Sequence, residues 1–152
     1  MRSFLQPVNQ CYAAGAIGGL AQGLAIWIIS QLGVFYLLGV PVVQDLTAPW
    51  LLQRMASHGI WGLLFLIPLP GALPLAARGV MLGLVPALAA LLVINPLLDG
   101  AGLFGLSMGW GWPIIVVAFN VLWGLATAYW LQWSGGEAGG ESGGAAGGAA
   151  VP

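Results

Sequence analysis

The chain has 152 residues, 60% of them hydrophobic and only 5% charged, with a mean hydropathy of +0.97 and a formal net charge of −1. A soluble domain carries about 25% charged residues, so this chain has too little polar surface to face water, and its solvent is expected to be lipid. The three basic residues, Arg2, Arg54 and Arg78, are scattered, and there is no lysine, which argues against a nucleic-acid partner and against a polybasic anchor on anionic lipid.

Residues 1–12 read as a short polar lead, too polar for the apolar core of a signal peptide. The first hydrophobic helix is therefore expected to act as an uncleaved insertion signal. The single Cys11 has no internal disulfide partner, and P-V-N-Q before it lacks the small-residue pattern of a lipoprotein site, so a buried or interfacial thiol is expected. The first span is predicted over about 13–38. Its core, Ala13 to Leu32, has no charge over 20 residues, enough to cross about 30 Å of hydrocarbon. Gly15, Gly19 and Gly23 recur every fourth residue and share a face on which a neighbouring backbone can approach closely. Gln22 and Gln31 are expected to make interhelical hydrogen bonds rather than to line a polar path.

Gly39-Val40-Pro41 closes that region, and a loop carrying Asp45 follows. Thr47 is a plausible N-cap, with Pro49 in the first turn, where its missing N–H costs nothing. The second span is predicted over about 50–67. On it Gln53, Arg54, Ser57 and His58 share a face by their three- and four-residue spacing, and Trp50 and Trp61 flank them. Pro68, Pro70, Gly71 and Pro74 break the chain, so 68–77 reads as a turn.

The third span is predicted over about 79–94. Gly79 and Gly83 repeat the four-residue spacing, Pro86 predicts a kink, and Asn95-Pro96 ends it. Residues 97–112 hold five glycines and read as either an interfacial loop or a re-entrant segment packed on protein. The fourth span is predicted over about 113–133, with Asn120 near its middle and Tyr129, Trp130 and Trp133 as an aromatic belt. The Gly/Ala-rich tail, 134–152, cannot bury a core and reads as disordered.

The expected fold is thus an all-α four-helix transmembrane bundle. Four spans put both termini on one side. Arg2 and Arg78 against Arg54 place that side in the cytoplasm by the positive-inside rule. The halves also look alike. Gly19 and Gly23 match Gly79 and Gly83 at an offset of 60, P-V-V-Q-D matches P-L-L-D at Asp45 and Asp99, and H-G-I-W-G-L from His58 matches N-V-L-W-G-L from Asn120 at an offset of 62. This ordering predicts a parallel duplication of a two-helix unit, the copies related by an axis along the membrane normal.

Chemistry is sparse. G-A-I-G-G-L is spaced like a dinucleotide loop but lies in an apolar run with no strand before it. One His and one Cys make no metal set, no cofactor motif occurs, and no Ser pairs with a base at motif spacing, so catalysis is not expected. What remains is Arg54, His58 and Asn120, with Asp45 and Asp99 toward the same side. Ionisable groups at membrane depth raise a functional hypothesis, here a shallow polar vestibule. The plainer reading puts Arg54 and His58 in the headgroup zone, Arg54 snorkelling and paired to Asp45. In size, span number and glycine-rich spans the chain resembles the small four-span inner-membrane proteins of bacteria, a type of unassigned function. That likeness implies a multi-pass bacterial inner-membrane location and carries no site residue. Two roles stay open. One is a structural bundle or accessory subunit that partners with itself or a larger membrane complex. The other is a small oligomeric transporter or channel.

Overall fold

A computed structural model describes residues 2–68 and 73–140, and these are helical with no strand among them. Helix α1 spans Arg2–Gln31, α2 is the single turn Val34–Leu37, and α3 spans Ala48–Gly62 and runs on as a 3₁₀ turn, Leu63–Leu66. Helix α4 spans Leu75–Ala89 and widens into a π-helix, Ala90–Leu98; a 3₁₀ segment, Leu103–Met108, precedes α5, Trp112–Gly140. Three stretches are long and apolar enough to cross a membrane: Leu5–Gln31, Leu75–Leu98 and Trp112–Ser134. They mark the chain as an all-α membrane protein.

Several boundaries differ from those read in the sequence. The polar lead is not separate but forms the first turns of α1, where Pro7 removes only one early ladder bond. That helix stops at Gln31, not near residue 38, because Gly33 turns left-handed at φ 73°. Thr47 caps α3 as expected, its side chain accepting from the Trp50 N–H at 3.4 Å. Helix α4 starts at Leu75, directly after Pro74, four residues earlier than expected. It passes Asn95-Pro96 rather than ending there, since the wider π repeat carries the ladder to Leu98. Helix α5 continues past Trp133 to Gly140. The expected disordered tail beyond that point, and 69–72 of the expected proline turn, lie outside the described residues.

The helices pack as a row in the order α3, α1, α5, α4, each antiparallel to its neighbour. Glycine makes these contacts possible. A Cβ on Gly15 would lie 2.5 Å from the His58 carbonyl oxygen and 2.7 Å from the Gly62 Cα. One on Gly83 would lie 2.5 Å from the Asn120 carbonyl oxygen, and one on Gly79 2.9 Å from that of Gly124. The expected packing stripes of Gly15, Gly19 and Gly23 therefore face α3, and Gly79 and Gly83 face α5. Helix α1 has a second buried face one position earlier. Ala14, Gly18 and Gln22 are all buried, and Gly18 sits against Trp123 and Thr127 of α5.

These contacts define the internal register. Gly15 opposes His58 and Gly62, and Gly83 opposes Asn120 and Gly124, so the packing equates Gly15 with Gly83. That is an offset of 68, two helical turns from the 60 that sequence matching suggests. A two-fold axis along the membrane normal would also exchange α1 with α4 and α3 with α5. The extensive α1–α5 contact has no counterpart of its extent between α4 and α3. The two pairs are built alike but are joined asymmetrically.

At the loop end, the segment Asp99–Gly111 folds against the α2–α3 connection. The Gly111 N–H donates to the Leu38 carbonyl at 3.0 Å, and Gly109 lies against Gly39. Gly62→Val and Gly124→Val should each unfold in mild detergent several degrees below the parent protein, since each side chain meets backbone rather than a movable side chain. Leu52→Val, on an exposed position, serves as the neutral control. Equal midpoints for all three would show that these helix contacts do not limit stability.

Candidate functional site

The row of four helices leaves a cavity of about 330 Å³ in its loop-side half. Its floor is near the middle of the helices. Asn120 lies eight residues into α5, about 12 Å below its start. Arg54 and His58 come to it from α3, Gln22 from α1, Asn95 from the π-helical end of α4, and Asn120 and Trp112 from α5. Phe35, Ile94 and Ile115 supply apolar wall. The structure thus brings three of the five residues singled out in the sequence, Arg54, His58 and Asn120, to one space. Asp45 and Asp99 are exposed on the same end of the molecule and do not line it.

Arg54 does not reach outward to Asp45. Its Nη1 donates to Gln22 Oε1 at 3.0 Å, and its guanidinium lies 4.8 Å from the centre of the Trp50 ring. Gln22 is 1% exposed, so the interhelical hydrogen bond expected of it is made, with arginine as the donor. Neither contact neutralises the charge. Among the described residues no carboxylate lines the cavity with Arg54.

His58 Nδ1 lies 2.9 Å from the Arg54 carbonyl oxygen. A carbonyl only accepts, so Nδ1 carries the proton and Nε2 is the acceptor of the neutral ring. Ser57 Oγ is 3.3 Å from the same Nδ1 and donates to the same carbonyl at 3.0 Å. Because Nδ1 already holds a proton, it cannot deprotonate Ser57, and the pair is not an activated nucleophile. The His58 ring packs edge-to-face on Trp123 at 5.6 Å. Asn120 Nδ2 donates back to the Val116 carbonyl at 2.8 Å, leaving its Oδ1 toward the helix surroundings as an acceptor.

Two residues that sequence reasoning passed over complete the site. Asn95 is 4% exposed, and neither its Nδ2 nor the buried Nε1 of Trp112 has a hydrogen-bond partner among the described residues. A Cβ on Gly105 would lie 2.6 Å from each nitrogen, so the two donors converge beside the Gly105 backbone, which covers them. Asn95 reads in the sequence as a helix terminator beside Pro96. The available signal was an amide inside an otherwise unbroken apolar run, Leu91 to Leu98. No protein-family model, no curated protein and no solved structure matches this chain.

An unpartnered buried amide costs about 1–3 kcal/mol. Asn95→Leu, of similar volume, should therefore leave thermal stability in ligand-free detergent unchanged or raise it by roughly 1 kcal/mol. A clear loss of stability, read by thermal unfolding, would mean that the amide has a structural partner.

Proposed function

We propose that this chain is a four-span, multi-pass protein of the bacterial inner membrane that binds a small ligand in a vestibule opening on the side opposite its termini. The single observation that carries this reading is Arg54, a cation inside a helix-lined cavity whose partners there, Gln22 and Trp50, are both neutral. Such a charge is expensive at membrane depth unless the cavity is wet or a ligand answers it.

The fourth crossing is supported by connectivity. Helices α1 and α4 both run antiparallel to α5, so if all three cross the membrane the chain between α1 and α4 must return. Helix α3 gives about 22 Å and its 3₁₀ extension about 8 Å more, close to a hydrocarbon thickness of about 30 Å. Arg78 lies at the other end of the molecule from the cavity's mouth, which supports cytoplasmic termini. Tyr129 and Trp133 are exposed at that same end, as an interfacial belt requires.

Within this reading the protein belongs with small binders or transporters. The duplication read in the sequence is a relation between two alike helix pairs, not a symmetric pore. An accessory or purely structural role draws on the apolar outer faces, such as Met81, Leu84, Val85 and Leu88 of α4. Lipid covers those faces equally well. Lipid does not account for a polar vestibule, and that observation favours the binding reading.

Cysteine accessibility tests the proposal. In a Cys11→Ser background, a membrane-impermeant maleimide applied to right-side-out inner-membrane vesicles should label Ser57→Cys and Ser107→Cys but not Gln132→Cys. Gln132→Cys should react only after permeabilisation. Ser57→Cys that stays unreactive on both sides would eliminate the vestibule, and the reverse pattern would invert the topology.

A further inference from the structure

We infer that the vestibule is built for a small organic anion, a carboxylate or phosphate head on a short apolar body, held by Arg54. The inference rests on the vestibule reading and adds the chemistry of what fills it.

Three features select that class. First, the cavity contains one formal charge, the Arg54 guanidinium, and its neutral partners leave that charge unanswered. A ligand cation would be repelled, and a neutral ligand would leave a desolvated arginine uncompensated. A carboxylate or phosphate answers it with the planar, charge-assisted hydrogen bonds that guanidinium makes best.

Second, the other polar side chains of the wall, Gln22, His58, Asn95 and Asn120, carry no negative charge, and no carboxylate lines the cavity among the described residues. Nothing there repels an anion that enters to meet Arg54.

Third, the rest of the wall is apolar, with Ile26, Phe35, Ile94, Ile115 and Phe119. A free inorganic anion would desolvate against these side chains without return, so the head must carry a hydrocarbon body. At about 330 Å³ the space is at the small end of ligand pockets, which suits a short chain or single ring.

The test uses the full chain in nanodiscs of phosphatidylcholine, titrated calorimetrically with hexanoate, hexyl phosphate, hexanol and hexylammonium, against protein-free discs. Hexanoate or hexyl phosphate should bind one site at least about ten-fold more tightly than hexanol, and hexylammonium should not bind. Arg54→Gln should remove the preference of anion over alcohol. The comparison of hexanoate with hexanol on the parent protein keeps the proposal testable should Arg54→Gln fail to fold. An anion no tighter than hexanol, or a preference unchanged in Arg54→Gln, would overturn the proposal. A second series in discs containing phosphatidylglycerol separates two sources of the same chemistry. Competition with hexanoate identifies a lipid headgroup as the natural anion, and no competition identifies a water-soluble one. If Ser57→Cys is labelled from the loop side while no anion preference is found, only this inference falls. An unreactive Ser57→Cys removes the vestibule as well.

Discussion

Three helices meet at the backbone of Gly15, and the rest of the structure depends on that contact. Its missing side chain lets α3 close to within backbone distance, with the Gly62 Cα 2.7 Å from where a Cβ would stand. Its carbonyl, on the other side, accepts the indole N–H of Trp123 at 2.9 Å, across 108 residues of sequence. Trp123 is itself fully buried. In lipid, helix association cannot draw on expelling water, so close van der Waals approach and interhelical hydrogen bonds must hold the bundle together. Gly15 supplies both at once, one to each helix pair. The same indole gives His58 and Phe65 an aromatic face to pack on, at 5.6 and 6.2 Å. The floor of the vestibule is thus anchored to the joint between the pairs.

From that joint the cavity follows as a matter of geometry. Below it the small residues let the helices touch. Above it, from Gln22 and His58 toward the loops, the side chains are larger and the row opens. The two loop segments then meet over the top through Gly39, Gly109 and Gly111. Close packing at one end and separation at the other leave a cavity in the loop-side half. Gln22, Arg54, His58, Asn95 and Asn120 line that space.

Much of this was legible in the sequence, and the reasons are physical. Four-residue glycine spacing has one meaning on an apolar helix, so the stripes of Gly15, Gly19 and Gly23 and of Gly79 and Gly83 could be read directly. Arg54, His58 and Asn120 stood out because ionisable and amide groups are rare in such a chain. What escaped was whatever depended on a second face or on unusual backbone. Ala14, Gly18 and Gln22 form an equally regular stripe, hidden because one of its members is a long amide. The register of the glycine contacts could not be read: an offset of 60 aligns Gly19 and Gly23 with Gly79 and Gly83, whereas the packing sets Gly15 against α3 as it sets Gly83 against α5. Asn95 read as a terminator because Pro96 follows it, and the rule that proline ends a helix presumes an α-helical ladder. Asp45 and Asp99 were grouped with the site because they lie at the same end; which way a loop carboxylate turns is not encoded in its spacing.

The π-helical end of α4 has a consequence for how this chain tolerates changes in length. A π turn holds one residue more than an α turn, so Ala90–Leu98 contains slack that an ordinary helix lacks. Removing a single residue there would let the ladder relax to α-helical spacing, with little cost in backbone hydrogen bonds. It would also rotate all that follows by about a quarter of a turn or more, carrying the amide of Asn95 off the vestibule wall. Elsewhere in the spans a deletion is punished by misaligned glycines and lost stability. Here the fold would survive it and the wall would change its chemistry, so the count of residues between Ala90 and Leu98 sets which side chains face the cavity.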